Sequence, residues 1–253
     1  MTNYLYKVLP PQYSHVNKVY CLLVATVFCA LPLCSTEAAA ENILKYDGTT
    51  DIHGDAKTRA SKNEYDGIDI RITGVDPGYY TETTEALVVD GKTLNVKGKG
   101  KFVRIVNTAQ NERIDNNGGI YAKGGSTVNF TDVDSIYIAA IAGKEGGNDS
   151  TVISAKDPIW KDRTGYTNTI NISGTVIQLI GSIDVFHSFG SVLNPNARHT
   201  VNAALSGSDS FWYGSAIGES DERTAVNLSL ADGATWIFNA GRSLLNAGGI
   251  ISN

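Results

Sequence analysis

One phrase, threonine–apolar–asparagine–apolar, recurs along the chain and constrains its fold more than any other feature. It stands at Thr93-Leu94-Asn95-Val96, Thr127-Val128-Asn129-Phe130, Thr169-Ile170-Asn171-Ile172 and Thr200-Val201-Asn202-Ala203. A variant follows at Ala225-Val226-Asn227-Leu228. Alternation at period two places the apolar residues on one face of a strand and Thr and Asn on the other. A short gap and a second strand-like segment follow each later copy: Ile136–Ile138, Val176–Ile180, Phe211–Tyr213 and Trp236–Phe238. The asparagines are 34, 42, 31 and 25 residues apart. Such uneven spacing fits coils that share a core and differ in their loops.

A single coil buries too few apolar side chains to offset its own backbone entropy, so the coils must stack. A parallel β-helix does this. The competing architecture is an antiparallel sandwich, for which Asp90-Gly91 and Asp232-Gly233 would be hairpin turns. The repeats favour the β-helix. Further strands are expected at Ile68–Ile72, Ala86–Val89 and Phe102–Val106, with loops at 107–119, 143–165 and 194–199. Residues 41–62 read as polar and irregular.

The first forty residues have a different character. Lys7, His15 and Lys18 precede the apolar run Tyr20–Leu33, and Ala38-Ala39-Ala40 offers small residues for cleavage before Glu41. These are the parts of a secretory signal peptide, 1–40. The run is shorter than the roughly 20 residues needed to span a bilayer core. All three cysteines (Cys21, Cys29, Cys34) lie in this leader. The exported product would therefore have neither disulfides nor thiolate sites. Without Lys7, Lys18 and Glu37, the product has 19 Lys+Arg against 25 Asp+Glu, a net charge of −6. An acidic balance argues against a nucleic-acid partner.

Chemistry-bearing motifs are sparse. There is no Gly-x-Ser-x-Gly elbow, and His53, His187 and His199 show no metal-ligand spacing. Gly98-Lys99-Gly100 is too short for a phosphate loop and reads as a turn. Lys97, Lys99, Lys101 and Arg104 form a small basic run, read as a solvated face. A secreted β-helix polysaccharide lyase or hydrolase would need clustered carboxylates. The candidates are Asp132 with Asp134 on one strand face, Asp66 with Asp69, and Asp209; turn or edge roles are favoured for them. Trp212, Tyr213 and Trp236 read as core or stacking residues. No catalytic, cofactor-binding or metal-binding residue is assigned, and no cofactor is expected.

Residues 204–239 carry a resemblance. Leu205, Gly207, Ser210, Trp212 and Gly214, followed by Val226, Asn227, Leu228, Leu230, Gly233, Ala234 and Trp236, resemble the passenger domain of pertactin-like autotransporters (type V secretion). Gly118–Ala122 and Gly124–Asn129 look like earlier coils of that family. The resemblance spans roughly residues 86–250. It implies a right-handed, single-stranded β-helix, non-enzymatic and adhesin-like or structural, at the surface of a Gram-negative bacterium. A cysteine-free chain suits threading through a narrow pore.

The family's C-terminal β-barrel has no counterpart after Trp236. The expectation is therefore a signal peptide (1–40), a cap (41–85) and a passenger fragment (86–253), with a separate or missing translocator. Its ligand would be an unknown host or cell-surface molecule. Export would end at the cell surface, the outer membrane or the medium, or in the periplasm without a translocator. An open last coil near Leu244–Ile251 would invite self-association. A truncated gene fragment without function is a further alternative.

Overall fold

The structure is a computed structural model. It describes residues 42–48, 58–73, 75–76, 84–108, 110–111, 117–141, 150–156, 165–186, 196–218, 223–238 and 251–252. All lie in one compact unit, Ala40–Asn253. The expected signal peptide, His53, His187 and nearly all of the last coil lie outside these residues.

Every described strand pair is parallel, as in a β-helix. The strands are β1 (Ile43–Gly48), β2 (Thr58–Arg59), β3 (Gly67–Ile72), β4 (Val75–Asp76), β5 (Thr84–Asp90), β6 (Thr93–Lys97) and β7 (Phe102–Asn107). They continue as β8 (Gln110–Asn111), β9 (Asn117–Lys123), β10 (Thr127–Ala140), β11 (Thr151–Lys156), β12 (Asn168–Ile180) and β13 (Ser182–Phe186). The last are β14 (His199–Ser206), β15 (Phe211–Gly214), β16 (Ala216–Gly218), β17 (Thr224–Ala231), β18 (Thr235–Phe238) and β19 (Ile251–Ser252).

Three main stacks result, beside the separate short pair β4-β8, and β19 adds to β17. The first runs β2-β5-β9-β11-β13-β16. The second holds the repeated phrase: β6, the first half of β10, the first half of β12, β14 and β17. The third runs β1-β3-β7, the second halves of β10 and β12, then β15 and β18. Successive coils stack in this way because hydrogen bonds between parallel neighbours satisfy the backbone, while alternate side chains fill the interior.

The phrase aligns in register. Leu94, Val128, Ile170, Val201 and Val226 occupy equivalent positions and point inward, and Val96, Phe130, Ile172, Ala203 and Leu228 form the next inward column. The expected second segments supply the third stack, where Ile136, Ile177 and Leu179 are buried.

Corners need special backbone. Gly98 and Gly100 turn one coil at positive φ, and Asp132 (φ 58) bends β10 where its register with β12 shifts. Asp90-Gly91 and Asp232-Gly233 also turn corners. They join strands on adjacent stacks rather than antiparallel hairpin partners, so the sandwich is not formed.

The tryptophan-containing phrase has a local explanation. Ser210 Oγ accepts from Ile177 N–H (3.0 Å) and donates to Ser206 O (2.6 Å). Trp212, 1 % exposed, donates from Nε1 to Gly181 O at 2.9 Å. One coil on, Trp236 Nε1 donates to Gly214 O at 3.0 Å. The two indoles stack at 4.9 Å with 5° between their planes. A Cβ on Gly214 would collide with the Gly181 carbonyl. Glycine is required there because two backbones meet.

Several expected irregular segments contain strands. The span 41–62 includes β1, paired residue for residue with β3, and the short β2. The span 107–119 includes β8 and the start of β9; Asn107 is buried and donates to Gly118 O at 2.9 Å. A Cβ on Gly119 would strike the Val152 carbonyl. The span 143–165 includes β11, where Val152 and Ile153 are fully buried. Val152, Ile153, Ser154 and Ala155 are all buried, so this strand shows no alternation to betray it. His199, placed in the loop 194–199, is the first residue of β14.

Candidate functional site

The outward side of the second stack is the most regular surface described. Its central column is a hydrogen-bonded amide ladder. Asn129 Nδ2 donates to Asn95 Oδ1 (2.9 Å), Asn171 to Asn129 (2.8 Å), Asn202 to Asn171 (2.8 Å) and Asn227 to Asn202 (2.8 Å). Asn95 Nδ2 continues it to Asn63 O at 3.2 Å. The uneven sequence separations of 34, 42, 31 and 25 are thus each one rung in space. Thr93, Thr127, Thr169, Thr200 and Ala225 form the column on one side of the ladder.

Small residues occupy the column on the other side: Thr131, Ser173, Ala204 and Ser229, with Lys97 in register beside Thr131. Because these side chains are short, an open trough of about 310 Å³ lies beside the ladder. Asn171, Asn202 and Asn227 form one wall. Among the described residues, no charged side chain lines it.

The carboxylates raised by the sequence do not converge on this face. Arg104 holds Asp69 through two bonds, Nε–Oδ1 at 2.7 Å and Nη2–Oδ2 at 2.8 Å. Lys101 pairs with Asp66. Half of the basic run is therefore committed to carboxylates one coil below, while Lys97 and Lys99 are exposed. Asp134 Oδ2 accepts from Gly100 N–H at 3.0 Å. Asp132 sits at the corner in the left-handed region, so the pair straddles a bend instead of sharing a continuous strand face. Asp209 is exposed, and its main-chain oxygen accepts from Gln178. Among the described residues, no three His, Cys, Asp or Glu side chains converge.

A second polar column, which the sequence reading missed, lies buried at the neighbouring corner. Asn168 and His199 are both fully buried. Asn168 Oδ1 accepts from Gly125 N–H (3.0 Å) and Ser126 N–H (2.9 Å). That fixes the amide orientation and turns Nδ2 toward His199 Nδ1 at 3.1 Å. The imidazole presents a lone pair there, so its proton is on Nε2. Ser126 Oγ is within 2.9 Å of Val89 O and 2.6 Å of Lys123 O. These residues stand directly before the phrase in successive copies. A polar residue at that fixed offset was the available signal. The small column two residues after each asparagine could have been found in the same way.

Tyr65 shows a third kind of polar anchoring. Its ring is buried, and its hydroxyl oxygen accepts from Lys62 N–H (3.0 Å) and Ser61 N–H (3.2 Å), with Ser61 Oγ at 3.2 Å. Burial pushes the phenol pKa up. The Ser61 hydroxyl, the two amides and the Lys62 charge outweigh it and hold the pKa below the ordinary tyrosine value.

The chain matches no protein-family model, no curated protein and no solved structure.

Proposed function

We propose that this chain is an exported passenger of the autotransporter kind, non-enzymatic, with an adhesive or structural role at the surface of a Gram-negative bacterium. The observation that carries this reading is the outward ladder face: five asparagine rungs in register, flanked by threonine and by small residues. A solenoid with one long, regular face, uncharged beside the ladder from the Thr131 rung to the Ser229 rung, provides many weak contacts side by side, which suits attachment better than chemistry. The engaged state of Asp66, Asp69 and Asp134 supports a non-enzymatic role over polysaccharide cleavage, which needs converging carboxylates.

The ligand would be a molecule of a host or cell surface. The test is expression of the full chain in a Gram-negative host. Mass spectrometry of the exported product should find Glu41 at its N-terminus. Beads coated with the product should adhere to cells. Retention of residues 1–40, or beads that adhere no better than uncoated ones, overturns the reading.

A further inference from the structure

We propose that the trough beside the asparagine ladder binds a neutral polysaccharide chain lying along the solenoid axis. This deepens the adhesive reading above and rests on it, naming the class of ligand. The argument starts from hydrogen-bond valence. A primary amide offers two N–H donors and two acceptor lone pairs. Within the ladder, Asn171 and Asn202 each use one donor and one lone pair on their neighbours. One donor and one acceptor per rung remain for a ligand. They repeat at the strand spacing of about 4.8 Å. A ligand that matches them must itself repeat, and each unit must both donate and accept. Sugar hydroxyls do so.

Other occupants fit less well. The described lining (Thr131, Ser173, Ala204, Ser229 and the three asparagines among it) is uncharged, so an anionic glycan or an acidic peptide meets a single counter-charge, Lys97, beside the Thr131 end and none along the trough. Extended peptides bind sheets by adding to an edge. Here the main chain is already paired with the coils above and below. The Ala204 methyl, between Ser173 and Ser229, leaves carbon at the floor for the C–H face of a sugar ring. From the Thr131 rung to the Ser229 rung is three strand spacings, about 14 Å, enough for a short oligosaccharide segment.

The test uses the full chain, purified after export, against an immobilised neutral β-glucan, a neutral α-glucan and a polyuronate. The expected result is retention on at least one neutral glucan and none on the polyuronate. Ala204→Trp, which fills the trough from an exposed position, should weaken retention by roughly tenfold or more. Ser229→Trp serves as a second blocker should the first variant lose its circular dichroism signature. Lys99→Ala, on an exposed corner outside the trough, should bind as the parent does. Retention on neither glucan, preference for the polyuronate, or unchanged binding by folded trough-filled variants overturns the proposal. If coated beads still adhere to cells while neutral glucans neither bind nor compete, the ligand class is wrong and the adhesive role stands. If the beads do not adhere at all, the adhesive role fails and the glycan proposal falls with it.

Discussion

Asn168 and Asn171 lie three residues apart on β12 and have the same side chain, yet they do different work. Asn171 belongs to the outward ladder. It donates to Asn129 and accepts from Asn202, side chain to side chain, where water can replace either bond. Asn168 is fully buried and accepts two backbone N–H groups from the turn one coil below. At the buried Ser126 bond, water cannot substitute without a cavity. The same amide is therefore a replaceable link on the surface and an obligatory turn partner inside, because removing a buried acceptor strands the donors it served.

The largest effect should come from Asn168→Ala. It removes the acceptor of the buried Ser126 amide and of the part-buried Gly125 amide, together with the contact to His199 Nδ1, and about 2–4 kcal/mol of unfolding free energy should be lost. Urea denaturation measures this. A loss no larger than that of Asn171→Ala would break the comparison.

Asn171→Ala interrupts the middle of the ladder and should cost about 0.5–1.5 kcal/mol. Removing Asn202 as well should cost less than the sum of the two single changes, because they share one bond. Strict additivity in that double-mutant cycle would show that the ladder is not coupled.

Among the described residues, Asn227 makes one ladder bond rather than two, donated to Asn202, and Asn227→Ala removes it. About 0.5 kcal/mol is expected, smaller than for Asn171. An equal or greater loss would mean that stability depends on position along the stack and not on the number of amide bonds.

Tyr65 extends the contrast to a hydroxyl committed to backbone donors, and its effect at neutral pH is the smallest. Its folded pKa is lowered, so the ionisation contributes stability above the unfolded value of 10.0 and that contribution is lost as pH falls through the folded value. Absorbance at 295 nm on titration should show a phenol component ionising below the ordinary tyrosine value, and Tyr65→Phe should remove that component. A titration curve unchanged by Tyr65→Phe would contradict the cradle.

The strands that could be read from the sequence were those with one face in the core and one in water. β6, β10, β12, β14 and β17 carry the alternating phrase openly, and their copies proved to be equivalent rungs. β11 was hidden because four consecutive residues in it are buried and period two leaves no trace. β1 was hidden because only half its surface is covered, in the pattern of an edge strand with polar Lys45 and Asp47 outward. The carboxylates were legible as residues but not as partners. Asp69 and Arg104 are 35 residues apart, and only the coil register brings them together.

The sequence alone determined that coils must stack, because no single copy of the phrase buries enough apolar surface to order itself. It also determined which side of each phrase faces the core, since alternation at period two leaves no other choice. The tertiary structure decided what those outward residues meet. Rungs 25 to 42 residues apart come into contact, so loop length drops out and register decides which asparagine bonds to which. For the same reason the fully buried Asn168–His199 contact and the shallow trough beside Ala204 belong to the stack rather than to any one coil. Each is built from side chains that approach only after neighbouring coils have paired.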